Sequence, residues 1–167
     1  MFKRSSSLPL LAVLLFCSAP AFAQSFVYDW SLPGATGDVD PSSAAHAFSG
    51  PGLTFASGVT GTIKVRYGIQ NIYDADVTPS WQYLVLSRTN NSALGSVTAR
   101  LMRVSHCSGD EEQMCSTGGS GEVSGCSHCL FNPGELDFSD NSYYIEVTLT
   151  RSSTSATPVV NTVALEN

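Results

Sequence analysis

Val59-Thr60-Gly61-Thr62-Ile63-Lys64-Val65-Arg66-Tyr67-Gly68-Ile69 is the stretch that decides the fold. Val59, Gly61, Ile63, Val65, Tyr67 and Ile69 share one side, and Thr60, Thr62, Lys64 and Arg66 the other. That two-residue period belongs to a strand with one buried face, because successive side chains in a strand point oppositely. Working outward, Tyr143 to Thr150 repeats the pattern, with Tyr143, Ile145, Val147 and Leu149 pointing inward against Tyr144, Glu146, Thr148 and Thr150. Shorter or less regular runs follow the same logic: Phe26 to Leu32, Gly52 to Ala56, Val97 to Val104 and Val159 to Leu165. Trp81 to Arg88 is nearly all apolar through Leu86, which reads as a strand buried on both faces.

No window repeats apolar residues at helical spacing, and Gly, Pro, Asn and Ser clusters punctuate the runs, as at Pro51-Gly52 and Asn132-Pro133-Gly134. Many short strands without helices to cover a parallel sheet imply two antiparallel sheets packed face to face. The expected fold is an all-β antiparallel sandwich, jelly-roll or immunoglobulin-like, with the choice of topology open. Tyr143 to Arg151 followed by Thr157 to Leu165 resembles the closing strand pair of secreted and phage-associated β-sandwich modules of bacteria. Val97 to Val104 resembles a central strand of the same modules. The resemblance implies the sandwich and carries no activity.

The first residues place Lys3 and Arg4 before an apolar run from Leu8 to Phe16, then Ala21-Phe22-Ala23. This is the order of a cleavable export signal, so residues 1–23 are expected to be a leader and 24–167 a single domain, secreted or periplasmic and bacterial in style. Cys17 follows Phe16, whereas a lipidated cysteine follows a small residue, so cleavage after Ala23 is expected to discard it. The apolar run is shorter than the roughly 20 residues that span a bilayer. Without Lys3 and Arg4, six basic residues face fourteen acidic ones, a net of about −8, and Lys64 is the sole lysine. An acidic chain without a basic cluster argues against nucleic acid and anionic membranes.

Cys107, Cys115, Cys126 and Cys129 remain, an even number in an exported chain, and four cysteines allow three pairings. Spacing favours Cys107 with Cys115 around the polar stretch 108–114 and Cys126 with Cys129, clasping a loop region around 107–129. Each clasp would be worth about 2 to 3 kcal/mol. Two sharper readings compete. Cys126-Ser127-His128-Cys129 has the form of a redox C-x-x-C, but no helix can start at the following Asn132-Pro133-Gly134 to lower a thiol pKa. The four cysteines with His106 and His128 as alternates could gather around zinc, but the 107 to 115 spacing is too wide for the second half-site.

No residue set announces catalysis. His46, His106 and His128 lack a nucleophile context, and Gly118-Gly119-Ser120-Gly121-Glu122 misses the G-x-S-x-G elbow. Asp38, Asp40, Asp74 and Asp76 are the best calcium candidates, since loop carboxylates make oxygen cages, though neither pair continues as an EF-hand loop. Trp81, Tyr83, Tyr73 and Tyr144 could stack on sugars if exposed, Tyr144 above all because it opposes core-facing Tyr143. Asn90-Asn91-Ser92 fits a glycosylation sequon. The sequence therefore describes a non-enzymatic exported binding or structural/assembly module, without cofactor, whose ligand it does not name, a glycan and a further copy of itself being the candidate partners. A carbohydrate-binding module and a thiol-disulfide redox protein are the alternatives.

Overall fold

A computed structural model describes residues 29–72, 78–132 and 134–167 of the protein. The expected leader and the first residues of the Phe26 strand lie outside the described residues. Among the described residues the chain forms eleven strands and one short 3-10 turn, Gly34–Thr36. The strands are β1 Trp30–Pro33, β2 Asp38–Val39, β3 His46–Ser49, β4 Gly52–Phe55, β5 Gly61–Ile69, β6 Tyr83–Asn90, β7 Gly95–Ser105, β8 Glu111–Ser120, β9 Val123–Leu130, β10 Asn141–Arg151 and β11 Val159–Glu166.

One sheet runs β3-β4-β11-β6-β9, with β1 added alongside β11, and the other runs β2-β5-β10-β7-β8. All pairings are antiparallel. Within these, β4-β11-β6-β9 faces β5-β10-β7-β8, and from β4 onward each strand crosses to the other layer as in a jelly roll, except at the β7–β8 hairpin. The sandwich is thus jelly-roll rather than immunoglobulin-like, with β1, β2 and β3 widening one side.

The alternation of the quoted stretch is realised in β5, where Ile63, Val65, Tyr67 and Ile69 are buried. Strand β10 pairs with β5 from Tyr143↔Ile69 to Arg151↔Gly61 and with β7 from Asn141↔Ser105 to Arg151↔Gly95. Directly opposed residues share a face, so Ile145, Val147 and Leu149 join Val97, Ala99 and Leu101 in one buried layer. The facing layer is Leu84 and Leu86 of β6 with Val160, Val163 and Leu165 of β11. Each such side chain contributes about 1.5 to 3 kcal/mol by leaving water. The Tyr67 hydroxyl donates to the Gly34 carbonyl at 2.7 Å, satisfying its one polar atom inside the core.

Two sequence expectations fail here. β6 alternates rather than being buried on both faces: Leu84 and Leu86 are buried while Tyr83 and Val85 are half-buried, because among the described residues no element packs over the outer side of this strand. The region 107–129 is not a clasped loop. Residues 108–114, expected as loop, mostly enter β8, which continues the β7 hairpin. A glycine-rich segment can be a strand because Gly118 has φ +102°, and a Cβ there would lie 2.3 Å from the Val97 carbonyl oxygen.

This geometry also re-pairs the cysteines. Cys107 sits at the β7–β8 hairpin tip, and Cys115 is opposite Leu101, about 17 Å further along an extended strand, out of bonding range. Cys126 and Cys129 lie three apart on β9 and therefore point to opposite faces. The bond formed is Cys115–Cys129, with a Cα separation of 6.0 Å, joining the edge strand of one sheet to the edge strand of the other. Cys107 and Cys126 are free and exposed. The C-x-x-C redox alternative loses its basis, because its two sulfurs sit on different faces and one is already engaged. The processed chain 24–167 is expected to show two titratable thiols when folded and, in a non-reducing digest, a disulfide link only between the Cys115 and Cys129 peptides. The double variant C115S/C129S is expected to lose about 2 to 4 kcal/mol in urea unfolding, the entropy of a loop of this size.

Candidate functional site

The period that buries one side of β5, β10 and β7 sends the other side to water. Register arranges these outward residues in rows across the strands. Asp38, Arg66, Glu146, Arg100 and Ser116 form one row from β2 to β8. Gly68, Tyr144, Met102 and Gln113 form the next, and Lys64, Thr148, Thr98 and Gly118 the row on the other side. Neighbouring rows are about 7 Å apart and neighbouring strands about 4.8 Å.

Tyr144 lies half-buried on this face, bordered by Gly68, whose missing side chain leaves the ring open on that flank. The Arg66 guanidinium carbon stands 5.2 Å from its ring centroid, and Arg66 also meets Glu146 at 3.4 Å. Arg66 is about half exposed, so this ion pair contributes positioning more than stability. Partial burial, reinforced by the Glu111 carboxylate, pushes the Tyr144 hydroxyl above its ordinary pKa and keeps it a neutral donor and acceptor. Between the polar rows, the Thr98 hydroxyl donates to the Thr148 carbonyl at 3.4 Å.

The other expected site residues are scattered. Tyr83 is on the outer face of the opposite sheet, edge-on to His128 with centroids 5.7 Å apart. It lines a shallow depression of about 370 Å³ with Val85, Cys126, His128 and Glu166. Trp81 is fully buried and presents no ring to solvent, so its expected stacking role is withdrawn. Tyr73, Asp74 and Asp76 lie outside the described residues. Asp38 is exposed on β2, opposite Arg66. Asp40 accepts from the Ser42 backbone N–H at 2.8 Å and the Ser42 hydroxyl at 2.6 Å. These bonds hold its carboxyl below the usual carboxylate range. Among the described residues no three His, Cys, Asp or Glu side chains converge on a point, and two of the four cysteines weighed as zinc ligands are bonded to each other.

Asn90, the expected sequon asparagine, is buried, and its side-chain N–H group donates to the carbonyls of Ser92, Gly95 and Gly121 at 2.6 to 2.8 Å. It ties the β6–β7 turn to the β8–β9 turn. His46 stacks edge-on against Phe48 at 5.9 Å, and His106 shares a 2.9 Å hydrogen bond with Ser142, so both are surface residues of ordinary kind.

No family model and no curated protein matches the chain. Solved structures do. A CBM36-1 domain of a multidomain xylanase from the hindgut metagenome of Trinervitermes trinervoides superposes with a TM-score of 0.50 at 12% identity, over 84% of this chain and 98% of that one. The likeness is one of fold. A carbohydrate-binding module CBM36 in complex with calcium and xylotriose gives 0.48 at 11% identity, over 82% and 99% of the two chains. The xylan-binding module CBM15 gives 0.47 at 14% identity, over 84% and 99%. All three are β-sandwich binding modules, and at such identities no residue of theirs transfers to a position here.

Sequence reasoning marked Tyr144 but missed Arg66, Arg100 and the threonines that surround it. Their outward orientation could be read from the alternation of each strand, whereas the rows depend on register. Asn90→Ala is expected to cost about 1 to 3 kcal/mol in thermal or urea unfolding, since the buried Gly95 carbonyl and the part-buried carbonyls of Ser92 and Gly121 lose their donor.

Proposed function

We propose that the chain is a non-catalytic, exported glycan-binding module whose sugar chain lies along the outer face of β5, β10 and β7. The observation that carries this reading is Tyr144, an aromatic ring held in the middle of a sheet face among hydroxyls, guanidinia and a carboxylate. A pyranose ring offers apolar C–H bonds on its faces and hydroxyls around its rim. A site for it needs a flat ring to stack on and fixed polar groups beside the ring. The face supplies both without a deep cavity, which suits a polymer that enters from either end.

The fold supports the reading, because the jelly-roll domain described above is carbohydrate-binding in the multidomain xylanase whose module it superposes on. Residues 1–23, read as a leader, would place the module outside the cytoplasm, where polysaccharides are met, and the Cys115–Cys129 bond fits an oxidising compartment. The absence of a catalytic constellation in the sequence is in keeping with a module that holds a polymer and leaves its chemistry to other proteins.

A second reading, self-assembly, has one observation in its favour. Phe48 on edge strand β3 is 64% exposed, an apolar side chain beside unpaired backbone groups. Light scattering of the processed protein decides it, ordered oligomers supporting assembly and a monomer at high concentration removing it.

The glycan reading is tested by retention in affinity gels cast with soluble polysaccharides and by pull-down on insoluble ones. Tyr144→Ala is expected to weaken retention about tenfold or more, while Tyr83→Ala, on the other sheet, leaves it unchanged. Equal retention of the parent and Tyr144→Ala would remove the stacking basis. Trp81→Ala is expected to cost about 3 to 5 kcal/mol of stability, as for any fully buried large aromatic, and to act through unfolding.

A further inference from the structure

The cations of this acidic chain are unevenly distributed. Arg88 is buried and donates to the Gly119 carbonyl. Arg151 is buried and donates to the carbonyls of Ser153, Ala56 and Thr154. Arg103 pairs with Glu112. All three are structural. The remaining basic residues of the domain, Lys64, Arg66 and Arg100, stand on the outer faces of β5 and β7, on either side of β10.

Only one of those three is neutralised. Arg66 takes Glu146, the one acidic side chain on the outer face of β5, β10 and β7, so the outer faces of these three strands carry a net of +2 on a domain of about −8. Arg100 is exposed and, among the described residues, makes no ion pair or side-chain hydrogen bond. Lys64 likewise lacks an ion pair there, Asp40 acting on it only through space. Other carboxylates border these strands: Asp38 stands opposite Arg66, Asp40 is held by Ser42, and Glu111 on β8 is close enough to act on both Tyr144 and Arg66.

We infer that the glycan bound on this face carries carboxylates, as a uronate-containing polysaccharide does. The inference rests on the glycan reading and narrows its ligand class. A guanidinium presents a planar fork of donors that matches a carboxylate, and Arg100 holds that fork beside the Tyr144 platform, one strand and one row away, about 8 Å between Cα atoms. A sugar stacked on Tyr144 would direct an equatorial carboxylate of its neighbour toward Arg100. Lys64, across β10 and one row further, lies about 12 Å from Arg100, within reach of a second uronate along the chain. A neutral polymer would give these two unpaired cations nothing to do, and the acidity of the rest of the surface would repel a polyanion everywhere but here.

The test compares the parent protein with Arg100→Gln, Lys64→Gln and Tyr144→Ala, each checked by circular dichroism and thermal melting for an intact fold. The probes are polygalacturonate, the same polymer with its carboxyls reduced to alcohols, a neutral xylan, and dextran sulfate. The parent is expected to bind polygalacturonate about tenfold or more tightly than its reduced form. Arg100→Gln should remove most of that difference, weakening the uronate complex several-fold more than any effect on neutral polymer, and raised salt should weaken the uronate complex more than the neutral one. Equal affinity for the native and reduced polymers, or an Arg100→Gln variant that binds polygalacturonate like the parent, overturns the inference. Dextran sulfate bound as tightly as polygalacturonate also overturns it, since generic anion attraction then suffices. Tyr144-dependent binding to neutral xylan with no uronate preference leaves the glycan reading standing while this one falls. Failure to bind any of the four defeats both.

Discussion

Strand β10 is the element on which the rest of the molecule depends. It is bonded along its length to β5 on one side and β7 on the other, and its inward residues Tyr143, Ile145, Val147 and Leu149 fill the centre of the sandwich. Because side chains alternate, anchoring those residues in the core obliges Tyr144, Glu146 and Thr148 to face water at fixed spacing. Burial and presentation are therefore one constraint. A slip of one residue would bury Glu146 and expose Val147, so the same hydrophobic energy that holds the fold also holds the outer face in register.

How much of this was legible in the sequence depends on how each strand is stabilised. β5 and β10 could be read because every second residue is apolar over their length. β8 and β9 could not. In β8 the inward positions near the bond are Cys115 and Thr117, and in β9 they are Ser127 and Cys129, so hydrophobic periodicity is almost absent. These edge strands are held by hydrogen bonds to a long neighbour and by a covalent link, neither of which leaves a periodic trace. The cysteine pairing was misread for the same reason: taking 108–114 as loop made sequence neighbours look like bonding partners.

The outer face was half legible. Tyr144 and its orientation followed from the alternation of its own strand, and Arg66 and Arg100 could each be assigned to the outside. What the sequence does not contain is that Arg66, Glu146 and Arg100 stand side by side, since that needs the register of three strands joined by long crossings. Trp81 shows the converse error. An aromatic beside an apolar run looks equally suited to core and surface, and its complete burial comes from its place just ahead of β6, which no local pattern encodes.

The bond between the two sheet edges also has a mechanical meaning. When a folded domain is pulled, its outermost strands, here β8 and β9, are the ones exposed to peeling. Cys115 and Cys129 are 14 positions apart, and the segment between them cannot be drawn out while the bond is intact, withholding about 50 Å of contour length from any extension. Under load the sandwich would yield elsewhere first, and the edges of its two layers would remain locked together until a reductant reached the sulfurs.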